Sequence, residues 1–281
     1  MDNVLRTLVE SGQVSLTLAD TTEIVREGIK LHKLSKTSAL VLGKALSAMT
    51  FMSACLKGER GEVSLSVKSD GLCGDIGVSG NRALRMRGYI QPLQIADGEE
   101  WACFGENSSL TVIRDDGYSR PFVGSCAFPK NTGLDGAFEE YFRISEQLPT
   151  RIATVVELDK TGHCAFAGVV ALQPLPFAEE KALQKVRETD LQRLLSELKS
   201  LGLQKTIERS FGQDIQASER RKAVYGCNCS REYLLGVLAS LGEGQMRQII
   251  QEDGAVRVHC HYCNTDYEFT EEDANELFSR P

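Results

Sequence analysis

Four cysteines near the C-terminus constrain most strongly what this chain can fold into. They form two close pairs, Cys227-Asn228-Cys229 and Cys260-His261-Tyr262-Cys263, separated by thirty residues. Two thiolate pairs joined by a small folded insert are a suitable ligand set for tetrahedral Zn²⁺, with Zn–S bonds of ~2.3 Å. Iron–sulfur clusters also take thiolates, but the Cys-X-Cys spacing differs from the ferredoxin patterns, so zinc is favoured. We therefore predict a metal site formed by Cys227, Cys229, Cys260 and Cys263.

Two histidines leave an alternative ligand set open. His259 and His261 flank Cys260, and either has a ring nitrogen that can replace one thiolate in a Cys₃His site. In a strand, however, the residues next to Cys260 point to the opposite face. We favour the four cysteines and expect the histidines to lie outside the ligand set.

The sequence around the cysteines predicts a small module with little apolar core. Ser230 caps a predicted helix over 231–240, a second helix covers 245–252, and short strands are expected at 256–259 and 267–269. Modules of this kind are often unfolded without metal, so metal binding drives their folding. Because thiolates are both the ligands and the oxidisable species, oxidation of either pair removes two ligands. A purely structural zinc site has the same ligands, so the spacing alone does not separate a switch from a structural role.

Residues 1–175 predict a mixed α and β domain. Helices are expected over 21–34, 35–57 and 134–148, and strand-like runs recur between 14 and 172. These helices and strands do not alternate regularly, which favours an α+β core domain over a doubly wound parallel sheet.

The segment 176–222 is predicted to be a charged helical linker. It has ten Lys and Arg and eight Asp and Glu, and leucines at helical spacing form one apolar stripe. An ordinary surface helix has the same pattern. With a thiol switch beside it, we favour a metastable element that covers an apolar surface in one state and exposes it in another.

Charge and composition exclude several classes of protein. The 281 residues have a net charge of −7, and the predicted zinc-binding module, 223–281, has four Arg, no Lys and ten acidic residues. This balance argues against a nucleic-acid-binding zinc ribbon. We find no signal peptide, membrane span, phosphate-binding glycine loop or catalytic triad, and we expect a cytoplasmic, non-enzymatic protein. The other five cysteines are scattered singly and are expected to be core residues: Cys55, Cys73, Cys103, Cys126 and Cys164.

The cysteine pattern and its surroundings resemble those of the redox-regulated 33 kDa chaperonins, the heat-shock protein 33 family. The resemblance rests on Cys227-Asn228-Cys229-Ser230-Arg231-Glu232, Glu252-Asp253-Gly254 and Cys260-His261-Tyr262-Cys263-Asn264. It continues upstream at Arg87-Gly88-Tyr89 and Ser145-Glu146-Gln147-Leu148-Pro149, in the order core, linker and zinc module.

The resemblance implies an ATP-independent holdase that binds unfolding proteins under oxidative stress. The reduced, zinc-bound form would be inactive, and oxidation would form the disulfides Cys227–Cys229 and Cys260–Cys263 and release zinc. The module and linker would then unfold, and the active form would dimerise. Thioredoxin or glutaredoxin would reduce it again, and clients would pass to ATP-driven foldases.

Two other functions remain as alternatives at this stage. A thiol-disulfide oxidoreductase would use the Cys260-His261-Tyr262-Cys263 pair, although such a pair normally opens a helix within a βαβ unit. A zinc-ribbon protein would bind nucleic acid, and its affinity would fall with salt.

Overall fold

The chain forms two compact units that divide between Gly226 and Cys227. The structure is a computed structural model that describes residues 2–212 and 215–279. Met1, Gln213, Asp214, Arg280 and Pro281 lie outside the described residues, so the predicted segments 1–175, 176–222 and 223–281 are compared only over the remainder. No helix in these described ranges is long and apolar enough to cross a membrane.

The larger unit contains eleven strands and five α-helices within its described residues. The strands are β1 (Val4–Val9), β2 (Val14–Asp20), β3 (Glu62–Lys68), β4 (Asp75–Asn81), β5 (Arg85–Gln91), β6 (Ser109–Asp115), β7 (Phe122–Ala127), β8 (Arg151–Leu158), β9 (Cys164–Pro174), β10 (Gln216–Arg221) and β11 (Val224–Tyr225). The helices are α1 (Thr22–His32), α2 (Lys36–Ala54), α3 (Leu134–Tyr141), α4 (Glu180–Glu188) and α5 (Leu191–Phe211). A π-helical turn, Phe142–Glu146, continues α3.

Two sheets enclose the central helix α2. One sheet has the strand order β10-β1-β2-β9-β8, and the other has the order β11-β5-β4-β3-β6-β7. Helix α2 contacts strands of both sheets and is buried on nearly every side, as its apolar sequence predicts. Its start is fixed by Ser35, whose hydroxyl accepts from the Ser38 N–H. The mixed α and β fold predicted for this part of the chain is confirmed.

The linker segment covers the five-stranded sheet. Helices α4 and α5 bury one apolar stripe against strands β2, β8 and β9. The stripe comprises Ala182, Val186, Leu191, Leu194, Leu195 and Leu198. The segment is not helical to its end, because β10 pairs antiparallel with β1 and extends the sheet.

The smaller unit contains three helices and one hairpin in its described part. The elements are α6 (Arg231–Ala239), α7 (Glu243–Asp253), β12 (Val256–Cys260), β13 (Thr265–Phe269) and α8 (Glu271–Phe278). Its apolar core is small and consists of Leu238, Met246, Ile250, Val256, Phe269 and Ala274. A core of this size leaves much of the stabilisation to other interactions.

Candidate metal centre

The first cysteine pair lies directly before helix α6. Ser230 follows Cys229 and caps the helix, since its hydroxyl accepts a hydrogen bond of 3.1 Å from the Tyr233 N–H. The predicted helix over 231–240 is therefore present to within one residue. This cap fixes the direction in which the chain leaves the pair.

The second cysteine pair forms the turn of the β12–β13 hairpin. Cys260 ends β12, and the Asn264 N–H donates to the Cys260 carbonyl oxygen at 2.8 Å. Asn264 has φ of 53°, in the left-handed region that asparagine tolerates better than most residues. The turn places Cys260 and Cys263 on the same side of the hairpin end as the first pair.

The four sulfurs converge on a single point. Cys229 Sγ lies 3.2 Å from Cys227 Sγ and 3.2 Å from Cys263 Sγ, and Cys227 Sγ lies 3.7 Å from Cys260 Sγ. All four sulfurs lie within 4.8 Å of one another. A tetrahedron with Zn–S bonds of ~2.3 Å has edges of about 3.8 Å, so the donor set and its spacing fit a zinc ion. The four residues predicted as ligands are thus brought together, and their metal remains a prediction.

The two neighbouring histidines do not join this sulfur group. Among the described residues, the group of close ligand atoms contains the four cysteines and neither histidine. His259 Nδ1 lies 2.7 Å from Asp266 Oδ1, and its ring lies 5.0 Å from the His261 ring. The geometry therefore favours Cys₄ over Cys₃His.

The cysteines of the cluster differ in pKa because their surroundings differ. Burial alone raises the pKa of Cys229, but hydrogen bonds with the Tyr267 hydroxyl and with neighbouring thiols outweigh it and lower the pKa to about 7. Burial and donation toward Cys229 raise the pKa of Cys227 to about 12. Burial also raises the pKa of Cys263. Cys229 is therefore a stronger acid than Cys227 or Cys263.

Two hydroxyl groups at the sulfurs were missed by the sequence analysis. Tyr267 Oη lies 3.3 Å from Cys229 Sγ, and Thr265 Oγ1 lies 3.3 Å from Cys263 Sγ. Strand alternation places Thr265 and Tyr267 on one face of β13, and Thr265 is the cross-strand partner of Cys260. The register that reveals these contacts depends on the hairpin, which the sequence located only approximately.

Arg231 ties the first cysteine pair to the rest of the module. Its guanidinium donates two hydrogen bonds of 2.7 Å to the Asp273 carboxylate and one of 2.8 Å to the Glu268 carbonyl oxygen. The same group lies over the Phe269 ring at 4.7 Å. Asp273 also completes a capping box with Thr270 at the start of α8. Arg231 therefore joins α6, β13 and α8.

The other cysteines belong to the larger unit and behave as core residues. Cys73, Cys103, Cys126 and Cys164 are buried, as predicted, whereas Cys55 is partly buried. Burial raises the pKa of each of these thiols. Neutral buried thiols are poor nucleophiles, whereas the pKa of Cys229 in the C-terminal cluster is lowered.

Comparison with known proteins agrees with this arrangement. The family model described as Hsp33 protein matches residues 2–270. This chain belongs to the Hsp33 family. Two Hsp33-family relatives, the 33 kDa chaperonins of Clostridium novyi (strain NT) and Bacillus mycoides (strain KBAB4), are each 31% identical to it. The matches cover 98% and 99% of this chain, and 97% and 99% of the relatives.

A solved structure supports the Hsp33 fold. The crystal structure of the 33 kDa chaperonin of Thermotoga maritima, a heat shock protein 33 homolog, matches with a TM-score of 0.82. The match covers 99% of this chain and 98% of that one, at 23% sequence identity. At that identity the likeness establishes the fold of this Hsp33-family member.

Proposed function

We propose that this protein is a redox-regulated, ATP-independent holdase chaperone of a reducing compartment such as the cytoplasm, and not an enzyme. The observation that carries the proposal is the convergence of four cysteine sulfurs within 4.8 Å in a chain of the Hsp33 family. The relatives with full-length matches are named chaperonins, which supports a chaperone role.

Cys227, Cys229, Cys260 and Cys263 would hold Zn²⁺ in the reduced protein. When bound, zinc supplies a charge that keeps four thiolates together and so organises the small module. The limited apolar core around Met246 and Phe269 supports this dependence, because it offers little stabilisation without the metal.

Oxidation would convert the ligands into disulfides Cys227–Cys229 and Cys260–Cys263. For each disulfide, two thiols lose two protons and two electrons, and one hydrogen peroxide is reduced to two waters. The 3.2 Å separation of the Cys227 and Cys229 sulfurs supports the first pairing. Cys229 and Cys263 are equally close, so peptide mapping of the oxidised protein is needed to assign the pairs.

Unfolding of the module would release the linker, and client proteins would bind the apolar surface that this release exposes. The apolar side chains of α4 and α5 are buried against the five-stranded sheet, and the exposed faces of both helices are highly charged. Release of the linker would uncover both the stripe and the sheet face, which provides apolar area for unfolding client proteins. We propose that the released form dimerises, is reduced by thioredoxin or glutaredoxin, and passes clients to ATP-driven foldases.

The test is light scattering from a client enzyme that aggregates on heating, without ATP. One sample contains reduced, zinc-loaded protein, and the other contains protein oxidised with peroxide at raised temperature. We expect only the oxidised sample to suppress aggregation, with release of one zinc per chain measured by a chromogenic chelator. Suppression should disappear after treatment with a dithiol and zinc.

A matched control isolates the cysteine cluster. Cys164→Ser removes a buried thiol in the larger unit and leaves all four clustered cysteines in place. This variant should still be activated by oxidation. Equal suppression by reduced and oxidised wild-type protein, or by neither, would reject the redox-regulated holdase.

A further inference from the structure

The sulfur cluster is contacted by a hydroxyl group that belongs to strand β13 and not to either cysteine pair. Tyr267 Oη lies 3.3 Å from Cys229 Sγ, and Cys229 is also the sulfur with 3.2 Å neighbours in both pairs. The hydroxyl thus contacts the sulfur at the junction of the two pairs. A zinc-bound thiolate has no proton to donate, whereas the tyrosine phenol has an O–H. None of the other three cysteines could therefore take over this hydrogen bond to Cys229.

The backbone holds this hydroxyl in position. Tyr267 is paired with Val258 in the antiparallel β12–β13 ladder, two residues from the Cys260–Thr265 pair. Its ring packs against the apolar core of the module. Because the hairpin register and the core packing fix Tyr267, its side of the contact does not depend on a flexible surface side chain.

We propose that Tyr267 is a positioning residue that donates an O–H···S hydrogen bond to the Cys229 thiolate, strengthening its hold on the metal and slowing its oxidation. The inference rests on the proposed function with zinc bound to the four cysteines, and it adds a residue that controls the rate of cysteine oxidation. Loss of a partner that orients a metal ligand typically lowers metal affinity ~10–100-fold. The hydrogen bond also withdraws charge from the sulfur that would attack an oxidant.

The oxidation step affected by this hydrogen bond is attack of the thiolate on hydrogen peroxide. The Cys229 sulfur forms an S–O bond as the O–O bond breaks, and hydroxide leaves and takes up a proton. The sulfenic acid then condenses with a neighbouring thiol, which forms the disulfide and releases water. With metal bound, the Cys229 sulfur would already be a thiolate, so a donor would act by lowering its electron density, and removal of the donor would accelerate the first step.

Tyr267→Phe tests the proposal in the full chain, with Tyr233→Phe as the matched control. Tyr233 lies in the same module on α6 and is 57% exposed. In the cobalt-substituted proteins at pH 7.0, we expect the sulfur-to-cobalt charge-transfer band of Tyr267→Phe to shift to lower energy. We also expect cobalt affinity to fall about tenfold and thiol oxidation by peroxide to be about threefold faster. Tyr233→Phe should match wild type in all three measurements.

A second variant keeps the test decisive if Tyr267→Phe does not fold. Incorporation of 3-fluorotyrosine at position 267 preserves the ring and makes the hydroxyl a stronger donor. Its charge-transfer band should shift to higher energy than that of wild type, and its oxidation should be slower. A charge-transfer band that is unchanged in the fluorinated protein overturns the role of Tyr267.

The same spectra separate this inference from the proposed function. If wild-type protein binds cobalt tetrahedrally but position 267 has no effect on the band or the oxidation rate, only the inference fails. If wild-type protein shows no thiolate-to-cobalt band, the proposed metal site fails and the inference fails with it.

Discussion

At the residue scale, Lys44 holds two acidic side chains in the larger unit. Its ammonium lies 3.0 Å from Glu100 Oε2, and Asp135 accepts hydrogen bonds from Thr154 nearby. Burial alone would lower the pKa of Lys44, but the charges of Asp135 and Glu100 outweigh it and raise the pKa. Burial raises the pKa of Asp135 in spite of the lysine. The buried charges of Lys44, Glu100 and Asp135 are thus stabilised only while all three side chains are present.

We expect Lys44→Met to destabilise the larger unit by about 3–5 kcal/mol, because it leaves buried carboxylates without their cation. A carboxyl whose pKa is raised by folding contributes stability below about pH 4 and loses it as pH rises through the folded pKa. Without Lys44 the pKa of Asp135 rises further, so the loss of unfolding free energy should be greater at pH 7.5 than near pH 4. Urea unfolding followed by fluorescence of Trp101, the single tryptophan, measures it.

The control is Lys68→Met, which removes an exposed lysine paired with Asp75. An exposed ion pair of this kind contributes about 0–1 kcal/mol. Equal losses for Lys44→Met and Lys68→Met, or a loss independent of pH, would contradict the assigned role of Lys44.

A second single residue, Cys227, tests the ligand set. Cys227→Ser replaces a thiolate with a weak hydroxyl ligand, so zinc affinity should fall by more than the ~10–100-fold caused by loss of an outer partner. Competition with a chromogenic chelator under reducing conditions measures this affinity. Cys55→Ser, outside the cluster, should leave it unchanged. An unchanged affinity in Cys227→Ser would remove that residue from the site.

At the element scale, helix α5 is two helices joined at a bend. Gly202 at the bend has φ of 78° and ψ of 173°, a conformation essentially restricted to glycine. Glu197 in the first half is only 12% exposed and faces Arg209 at 3.4 Å and Ser210 at 2.9 Å in the second half. The Glu197 carboxylate therefore links the two halves.

We expect Glu197→Gln to open the two halves of α5 more often. Loss of charge-assisted hydrogen bonds worth about 1–2 kcal/mol should speed amide exchange across Leu191–Phe211 by roughly 5–30-fold. The proposed function adds a second expectation, which is partial suppression of client aggregation by the reduced variant. Glu188→Gln, an exposed change on α4, is the control. Exchange rates that match this control would show that Glu197 does not hold the bend.

Sequence patterns predicted the local elements well and the long-range pairings poorly. Strand β3 and the capping box at Thr270 follow from periodicity and capping within a few residues of chain. Strand β10 was missed because its sequence, Gln216–Arg221, is polar and charged, and it forms where β1 offers unpaired backbone groups. The predicted helix over 134–148 ends earlier, at Tyr141, and continues as a π-helical turn in which the Tyr141 hydroxyl donates to Glu146.

The candidate site shows the same contrast between local features that the sequence predicts and long-range contacts that it does not. The cluster of four cysteines was predictable because each pair supplies its two sulfurs from one short stretch of chain. The contacts of Tyr267 with Cys229 and of Arg231 with Asp273 span 38 and 42 residues and depend on the packing of the folded module. Residue types alone gave no reason to select these two side chains.

At the scale of the whole molecule, the two units should respond differently to a chelator. The larger unit has an extensive apolar core, whereas the core cluster of the smaller unit has six buried apolar residues in its described part. Under reducing conditions, zinc removal should abolish the protection of amides over 227–279 against exchange. The urea midpoint of the larger unit, reported by Trp101, should stay within error of its value in the zinc-loaded protein. Protection that persists in the chelated module would show that its fold does not need the metal.

Strand β10 has a consequence for how opening of the chain can be detected. Its residues are mostly exposed, so it is attached to β1 by backbone hydrogen bonds with little apolar burial. The denaturant dependence of an opening scales with the surface that it exposes, and here that surface is small. Detachment of β10 would therefore barely change with urea concentration, while the amides of Gln216–Arg221, and those amides of Val4–Val9 that bond to β10, would exchange readily. Denaturation curves would record a uniformly stable sheet whose edge is in fact its least stable part.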